Sequence, residues 1–348
     1  MNKNLFFNIL KHIPLNFLFK PFYSGEGSIL FMHKVVHKQT EKQRITLMRA
    51  NEIEAAFLEK MLLYLQNKYD IISLDEVQSR LQSKTKHNKK FIVITFDDGY
   101  KDNLTIAYPI FKKLNIPCTI YVSNCYPNNT GKLWWYMLED ILLENTTINF
   151  SHKNQEFNYK TNTQAEKDRS FEEIRKVLID SSEEQQASLL TQLEKVYKKN
   201  LNSYVANHAL SWQGINTLSQ DPLVTIGCHT INHLALNTLT KQEQLKEILD
   251  SKKEIDNQIN SKSIHFAYPF GTVNEVNENE VNNLAATKSF QTATTTRMGN
   301  IFKKHSNHLY ALPRIQVLGT QQDLSILDLY LCGFIPAIKN KFKKIITL

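Results

Sequence analysis

Short apolar runs rich in β-branched residues recur along the chain: "SILFM" (28–32), "FIVITF" (91–96), "CTIYVS" (118–123), "LVTIG" (223–227), "IHFAY" (264–268), "SFQTAT" (289–294) and "RIQVL" (314–318). Several are apolar at every position, which is how strands read when both faces of a parallel sheet are covered. Between many of them lie segments with helical periodicity: "NEIEAAFLEKMLLYLQNKY" (51–69), "NLTIAYPIFKKLN" (103–115), "TKQEQLKEILDSKKEIDNQIN" (240–260) and "NENEVNNLAATK" (277–288). Alternating strands and helices predict a parallel α/β sheet or barrel.

One interval breaks the rhythm. From about Gly131 to Trp212 the chain becomes polar and helical in pattern, with "LWWYMLEDILLE", "NQEFNYKTNTQAEKD" and "SFEEIRKVLIDSSEEQQASLLTQLEKVYKKN" in succession. It reads as a helical insertion (131–212) between two core strands, placed as long βα excursions are, on the functional face. The expected organisation is a basic apolar N-terminal segment (1–26), a catalytic domain (27–319) that carries the insertion, and a basic C-terminal helix or tail (320–348).

Composition narrows the class only a little. Of 348 residues, 42% are hydrophobic and 22% charged, with few Gly and Pro, so a real core is affordable and disorder is excluded. Lys and Arg outnumber Asp and Glu by 42 to 34, a modest excess that suits an anionic surface. The basic residues are scattered and no recognition module appears, which argues against nucleic acid. The cysteines Cys118, Cys125, Cys228 and Cys332 show no CxxC spacing and read as reduced core residues, which favours the cytoplasm. Lys11, His12 and Pro14 interrupt any signal-peptide core, and no apolar run is long enough to span a bilayer. The apolar, basic termini ("MNKNLFFNILKHIPLNFLFKPF" and "IKNKFKKI") read first as a terminal helix packed on the body, with peripheral contact with a membrane as the alternative.

Three polar clusters follow predicted strands: Asp97-Asp98-Gly99, "HTINH" (229–233) and "YPFG" (268–271). In parallel α/β architectures the C-terminal ends of strands converge on one face, where sites are built. His229 and His233, at i and i+4, meet one ion if the chain coils after Gly227, with Thr230 bonding the turn backbone. One carboxylate added to two histidines is a usual catalytic zinc set. Of Asp97 and Asp98, one can bind the ion while the other serves as a base, and the cation then offsets the paired charge. Cys228 lies beside His229, but strand alternation turns it the opposite way, into the core.

"TFDDG", "HTINH", "FAYPFG" and "LPRIQV", in that order, resemble the polysaccharide deacetylases with a NodB-homology domain, carbohydrate esterase family 4, over roughly Gly27 to Gly319. The resemblance implies a distorted (β/α)7 barrel, and a hydrolase that removes N-acetyl groups from an amino-sugar polysaccharide, oligosaccharide or glycan intermediate. It implies Asp97 as general base, and Asp98, His229 and His233 as ligands of a divalent metal, usually Zn2+. It further implies a groove lined by Tyr268, Pro269, Phe270 and Gly271, with the Phe270 N–H in the oxyanion hole, and Arg314 orienting the base. The chain departs from many members at Ala267, where they carry Arg, and in lacking a late histidine as general acid. In the branch that reads "FAYPYG" an early "YHxV" supplies that histidine, which here matches "FMHKVV" and gives His33, with His305 and His308 as weaker substitutes. Trp134 and Trp135 are placed to stack on sugar rings or to seed the insertion's own core. The alternatives are a catalytically silent glycan-binding member and a membrane-associated scaffold in envelope glycan assembly.

Overall fold

The computed structural model describes residues 15–347 except 41, 86 and 260. Seven strands run parallel and close on themselves: β1 (Gly27–Met32), β5 (Phe91–Phe96), β6 (Cys118–Val122), β9 (Val224–Cys228), β10 (His265–Ala267), β11 (Thr292–Met298) and β12 (Leu312–Gln316), with β12 returning to β1. A short β4 (Asp70–Ile71) pairs with the start of β5, and β2 (Lys34–Val36) pairs with β3 (Glu52–Glu54) outside the barrel. This is the distorted (β/α)7 barrel expected from the sequence.

The double-sided apolar strands have a simple cause. Ile29, Val93, Tyr121, Ala267 and Leu312 meet one another inside the barrel, whereas Leu30, Ile92, Ile94, Ile120, Ile226 and Ile315 pack outward against the helices. The outer layer includes the helix Ala55–Lys68, whose Leu58, Met61, Leu62 and Leu65 are buried, and the helix Lys241–Ile259 with Ile248 and Ile255. The two-residue period then carries the inner set upward: Ile29, Phe31 and His33 on one strand, Val93, Thr95 and Asp97 on the next, Leu312 and Arg314 on a third. The residues that end the strands on the inner face are those of the candidate site.

The insertion is not wholly helical. The helices Trp134–Glu144, Gln164–Ile179, Glu183–Tyr197 and Leu201–His208 are joined by an antiparallel hairpin of β7 (Thr147–His152) and β8 (Gln155–Lys160). Its two-residue turn, Lys153-Asn154, has φ of 51° and 60°, the left-handed pair that matches strand twist. Ile148 and Phe150 alternate inward from β7; the polar positions between them give the stretch its polar reading. Capping boxes at Thr163/Glu166 and Ser182/Gln185 start two of the helices. The insertion has its own core, with Met137, Ile141, Phe171, Ile174, Leu178 and Leu193, which also takes in Ile45, Met48 and Tyr100 of the barrel loops. Arg44 ties the two parts together, bonded to Glu139 of the insertion and to Glu52 of β3.

Of the N-terminal segment, residues 1–14 lie outside the described residues. Leu15–Tyr23 forms a helix against the C-terminal helices Leu324–Leu331 and Phe334–Lys339. Phe17, Leu18 and Phe22 are exposed there. Among the described residues no helix is long and apolar enough to cross a membrane.

Asp102, just after the β5 loop, accepts the Val35 N–H of β2 at 2.8 Å. Burial pushes its carboxyl up to about 7, only partly offset by that N–H and by Lys34. Unfolded, the group is an ordinary carboxylate, so between about pH 4 and 7 the folded chain holds a proton that the unfolded chain has released. Stability attributable to Asp102 therefore falls as pH rises through that window. Asp102→Asn keeps the acceptor and removes the titration; its urea midpoint should decline less than wild type's from pH 5 to pH 8. Parallel declines would contradict the assignment.

Candidate active site

The two carboxylates after β5 part company at the backbone. Asp97 still follows the strand, its N–H bonded to the Met32 carbonyl of β1 at 3.0 Å. Asp98 turns out of the ladder with φ 72° and Gly99 follows at 74°. Thr230 (66°), His233 (54°) and Phe270 (59°) share this left-handed conformation, which costs on the order of 1–3 kcal/mol per non-glycine residue and gathers at functional sites. Neighbouring side chains are thus aimed at different partners.

Asp97 faces Arg314. Both terminal guanidinium nitrogens donate to the carboxylate at 2.7 Å, one to each oxygen. Arg314 is wholly buried, lies 4.4 Å over the Phe31 ring, and also donates to the Thr95 hydroxyl and the Thr295 carbonyl. Burial alone would raise the Asp97 carboxyl, but Arg314 outweighs it and holds the group below its ordinary value.

Asp98 faces the histidines. Its Oδ1 lies 3.5 Å from Nε2 of His229 and 3.1 Å from Nε2 of His233, and all three are buried. His229 Nδ1 sits 2.7 Å from the Ala267 carbonyl. A carbonyl only accepts, so Nδ1 donates to it, and Nε2 is left as the ring atom that faces the Asp98 carboxylate. Burial holds His233 below its usual range despite the pull of Asp98. The three ligand atoms lie close enough together to hold one divalent cation, and two imidazoles with one carboxylate are a donor set that suits it. The loop is fixed from behind: the His233 N–H donates to the Thr230 hydroxyl at 3.1 Å, and Ser123 donates to the His229 carbonyl at 2.6 Å.

A pocket of about 210 Å³ opens over these groups, and His33, Asp97, Asp98, His229, His233 and Phe270 line it. His33, half-buried, stands edge-on to Phe31 at 5.8 Å. The "YPFG" turn contributes less than its motif suggests. Tyr268, Pro269 and Gly271 are buried and only Phe270 reaches the pocket. Tyr268 continues the outward set of β10, packs on Phe266 and donates its hydroxyl to the Tyr310 carbonyl at 3.0 Å. Gly271, at φ 64°, is held so close that a Cβ would meet the Thr296 nitrogen at 2.8 Å. Among the described residues nothing accepts the Phe270 N–H, while its carbonyl takes the Thr296 hydroxyl.

His305 is fully buried, its Nδ1 accepting the Phe302 N–H, in the segment beside Ile301, which pairs with Gly27 at the opposite end of β1. His308 is exposed in the same segment. Neither reaches the pocket. Trp134 is buried in the insertion's core, whereas Trp135 donates to the Tyr100 hydroxyl at 3.0 Å and lies 5.6 Å from His233. The pocket also contains residues that lie outside the motifs, Leu47, Met48, Asn51, Phe171 and Arg175, together with Gln316 of "LPRIQV", which was not singled out. Phe171 and Arg175 stand one helical turn apart on the insertion helix, and no local pattern marks that face as the one that meets the pocket.

A family model of polysaccharide deacetylases matches residues 84–187 and 193–288. The chain belongs to the polysaccharide deacetylase family. It is 27% identical over 251 residues to YxkH of Bacillus subtilis (strain 168), whose name places it in the same family; the match covers 72% of this chain and 60% of that protein's length. The deacetylase PplD of Streptococcus pyogenes, solved with acetate, superposes with a TM-score of 0.55 at 20% identity, over 86% of this chain and 96% of that one. IcaB from Ammonifex degensii gives 0.52 at 15% identity, over 88% and 96%. These two likenesses establish a shared fold.

Two outcomes follow from the geometry. Arg314→Met leaves a buried carboxylate without its counter-charge and should cost about 3–5 kcal/mol in urea unfolding; a loss under ~1 kcal/mol, the scale of a solvated pair, would contradict the buried pairing. Added Zn2+ should raise the Tm of the wild type but not of His229→Ala or His233→Ala. An unchanged shift in either variant would remove that histidine from the ligand set.

Proposed function

We propose that this chain is a metal-dependent deacetylase that hydrolyses N-acetyl groups on an acetylated amino-sugar glycan. The observation that carries the reading is the division of adjacent carboxylates: Asp97 is clamped by Arg314, and Asp98 is turned to two imidazoles. Family membership supports the reaction class. Asp98, His229 and His233 would hold a divalent ion, with Zn2+ the first choice for this donor set, and such an ion supplies polarisation of the acyl oxygen and a lowered pKa for water.

The remaining chemistry belongs to the chain. Asp97, kept ionised by Arg314, takes a proton from the attacking water as its oxygen bonds to the acyl carbon. Arg314 also fixes the orientation of the carboxylate, so that no reorganisation is needed at the moment of attack. The Phe270 N–H, without an acceptor among the described residues, is available to the tetrahedral oxyanion. His33 gives a proton to the departing nitrogen, the C–N bond breaks, and acetate and a free amine result. Trp135, half-buried beside His233, offers an apolar face to the sugar ring.

Metal-loaded protein should release acetate from N-acetylated glucosamine or galactosamine oligomers, and chelation should stop the release. A loaded, folded protein that binds such oligomers and releases none would favour a silent glycan binder instead. His33→Ala should slow amide hydrolysis by about 10²–10⁴-fold while an activated aryl acetate suffers much less, because a phenolate leaves without protonation. Equal losses on both substrates would reassign His33 to positioning.

A further inference from the structure

Arg175 is a charged group at the pocket that no described side chain pairs directly. It comes from the insertion helix Gln164–Ile179, is half-buried, and forms no ion pair or hydrogen bond among the described residues. Its guanidinium carbon lies 5.7 Å from the centre of the Phe270 ring, and that ring lies 4.9 Å from His233. Burial disfavours its charge, and Glu172 and Glu275 offset that only in part. Glu172 points into solvent, and Glu275 is engaged with the N–H and hydroxyl of Thr272. Half-burying a guanidinium without a paired anion is costly, and an aromatic face recovers only part of that cost.

Phe270 thus stands between this cation and His233, and all three line the same pocket. The pocket, at about 210 Å³, is smaller than the ~300–1,000 Å³ of common ligand sites, so it suits one ring rather than two. Its other walls are largely apolar, with Leu47, Met48, Trp134 and Phe171 surrounding the charged groups. Asp97 and Asp98 have their own partners, so Arg175 is not needed to balance the catalytic carboxylates.

We propose that Arg175 is a specificity-determining residue that recognises an anionic substituent, phosphate or carboxylate, on the amino sugar held in the pocket. The assignment rests on the deacetylase reading for which sugar is present, and on the guanidinium's fork geometry for the choice of anion.

The test measures affinity by titration calorimetry, independently of turnover. The probes are N-acetylglucosamine, its 1-phosphate, its 6-phosphate and N-acetylmuramic acid, which separate phosphate from carboxylate and one ring position from another. At least one anionic probe should bind the wild type about tenfold more tightly than the neutral sugar, the scale of a charge-assisted hydrogen bond. Arg175→Gln should erase that preference with little change for the neutral sugar, and Arg175→Lys should restore part of it. No anion preference in the wild type, or a preference that survives in Arg175→Gln, overturns the proposal. Preference that depends on Arg175 without acetate release from any probe or oligomer would uphold the anion site and count against the deacetylase reading alone.

Discussion

Two neighbouring carboxylates cannot both stay ionised in the mouth of a barrel unless each has its own counter-charge. The fold meets this constraint by geometry. Strand alternation brings Arg314 of β12 across to Asp97 of β5 inside the barrel, and a left-handed step turns Asp98 away toward the histidine loop. Without the first, Asp97 would have to take up a proton or leave the core. Without the second, both carboxylates would compete for one cation. The packing of Arg314 under Phe31 and the bonds to Thr95 and Thr295 serve the same end, because a buried guanidinium is tolerable only when its donors are satisfied.

The insertion adds what the barrel lacks. Its own core lets it stand as a wall, and the Arg44 pairs to Glu139 and Glu52 anchor that wall to the loop beside the pocket. Through Trp135 it touches His233, and through Arg175 it reaches Phe270. Asp98, His229 and His233 come from strand ends, whereas much of the shape and charge of the space above them comes from the excursion.

Much of this was legible from the chain alone. The double-sided strands, the parallel barrel and the convergence of "DDG" with "HTINH" follow from a two-residue period and a small set of polar residues at strand ends. Alternation also foretells that Cys228 faces outward while His229 faces in, as its contact with Ser263 shows. The same rule, applied to Tyr268, would have turned it from the pocket to the outer layer; reading the whole turn as a lining obscured this. Polar spacing hid the hairpin at 147–160, because residues that alternate on one exposed face look like a polar linker. The predicted strands at 289–294 and 314–318 lie instead at Thr292–Met298 and Leu312–Gln316. Arg175 and Phe171 escaped because nothing local says which face of an inserted helix will meet a distant pocket.

The account stands on the unequal roles of the adjacent carboxylates, and a paired measurement addresses that directly. Bound Zn2+ and acetate release are determined on the same preparations of Asp97→Asn and Asp98→Asn. The account predicts that Asp97→Asn retains metal with turnover lowered by about 10²-fold or more, and that Asp98→Asn loses metal and turnover together. Metal lost from Asp97→Asn and kept by Asp98→Asn would contradict it.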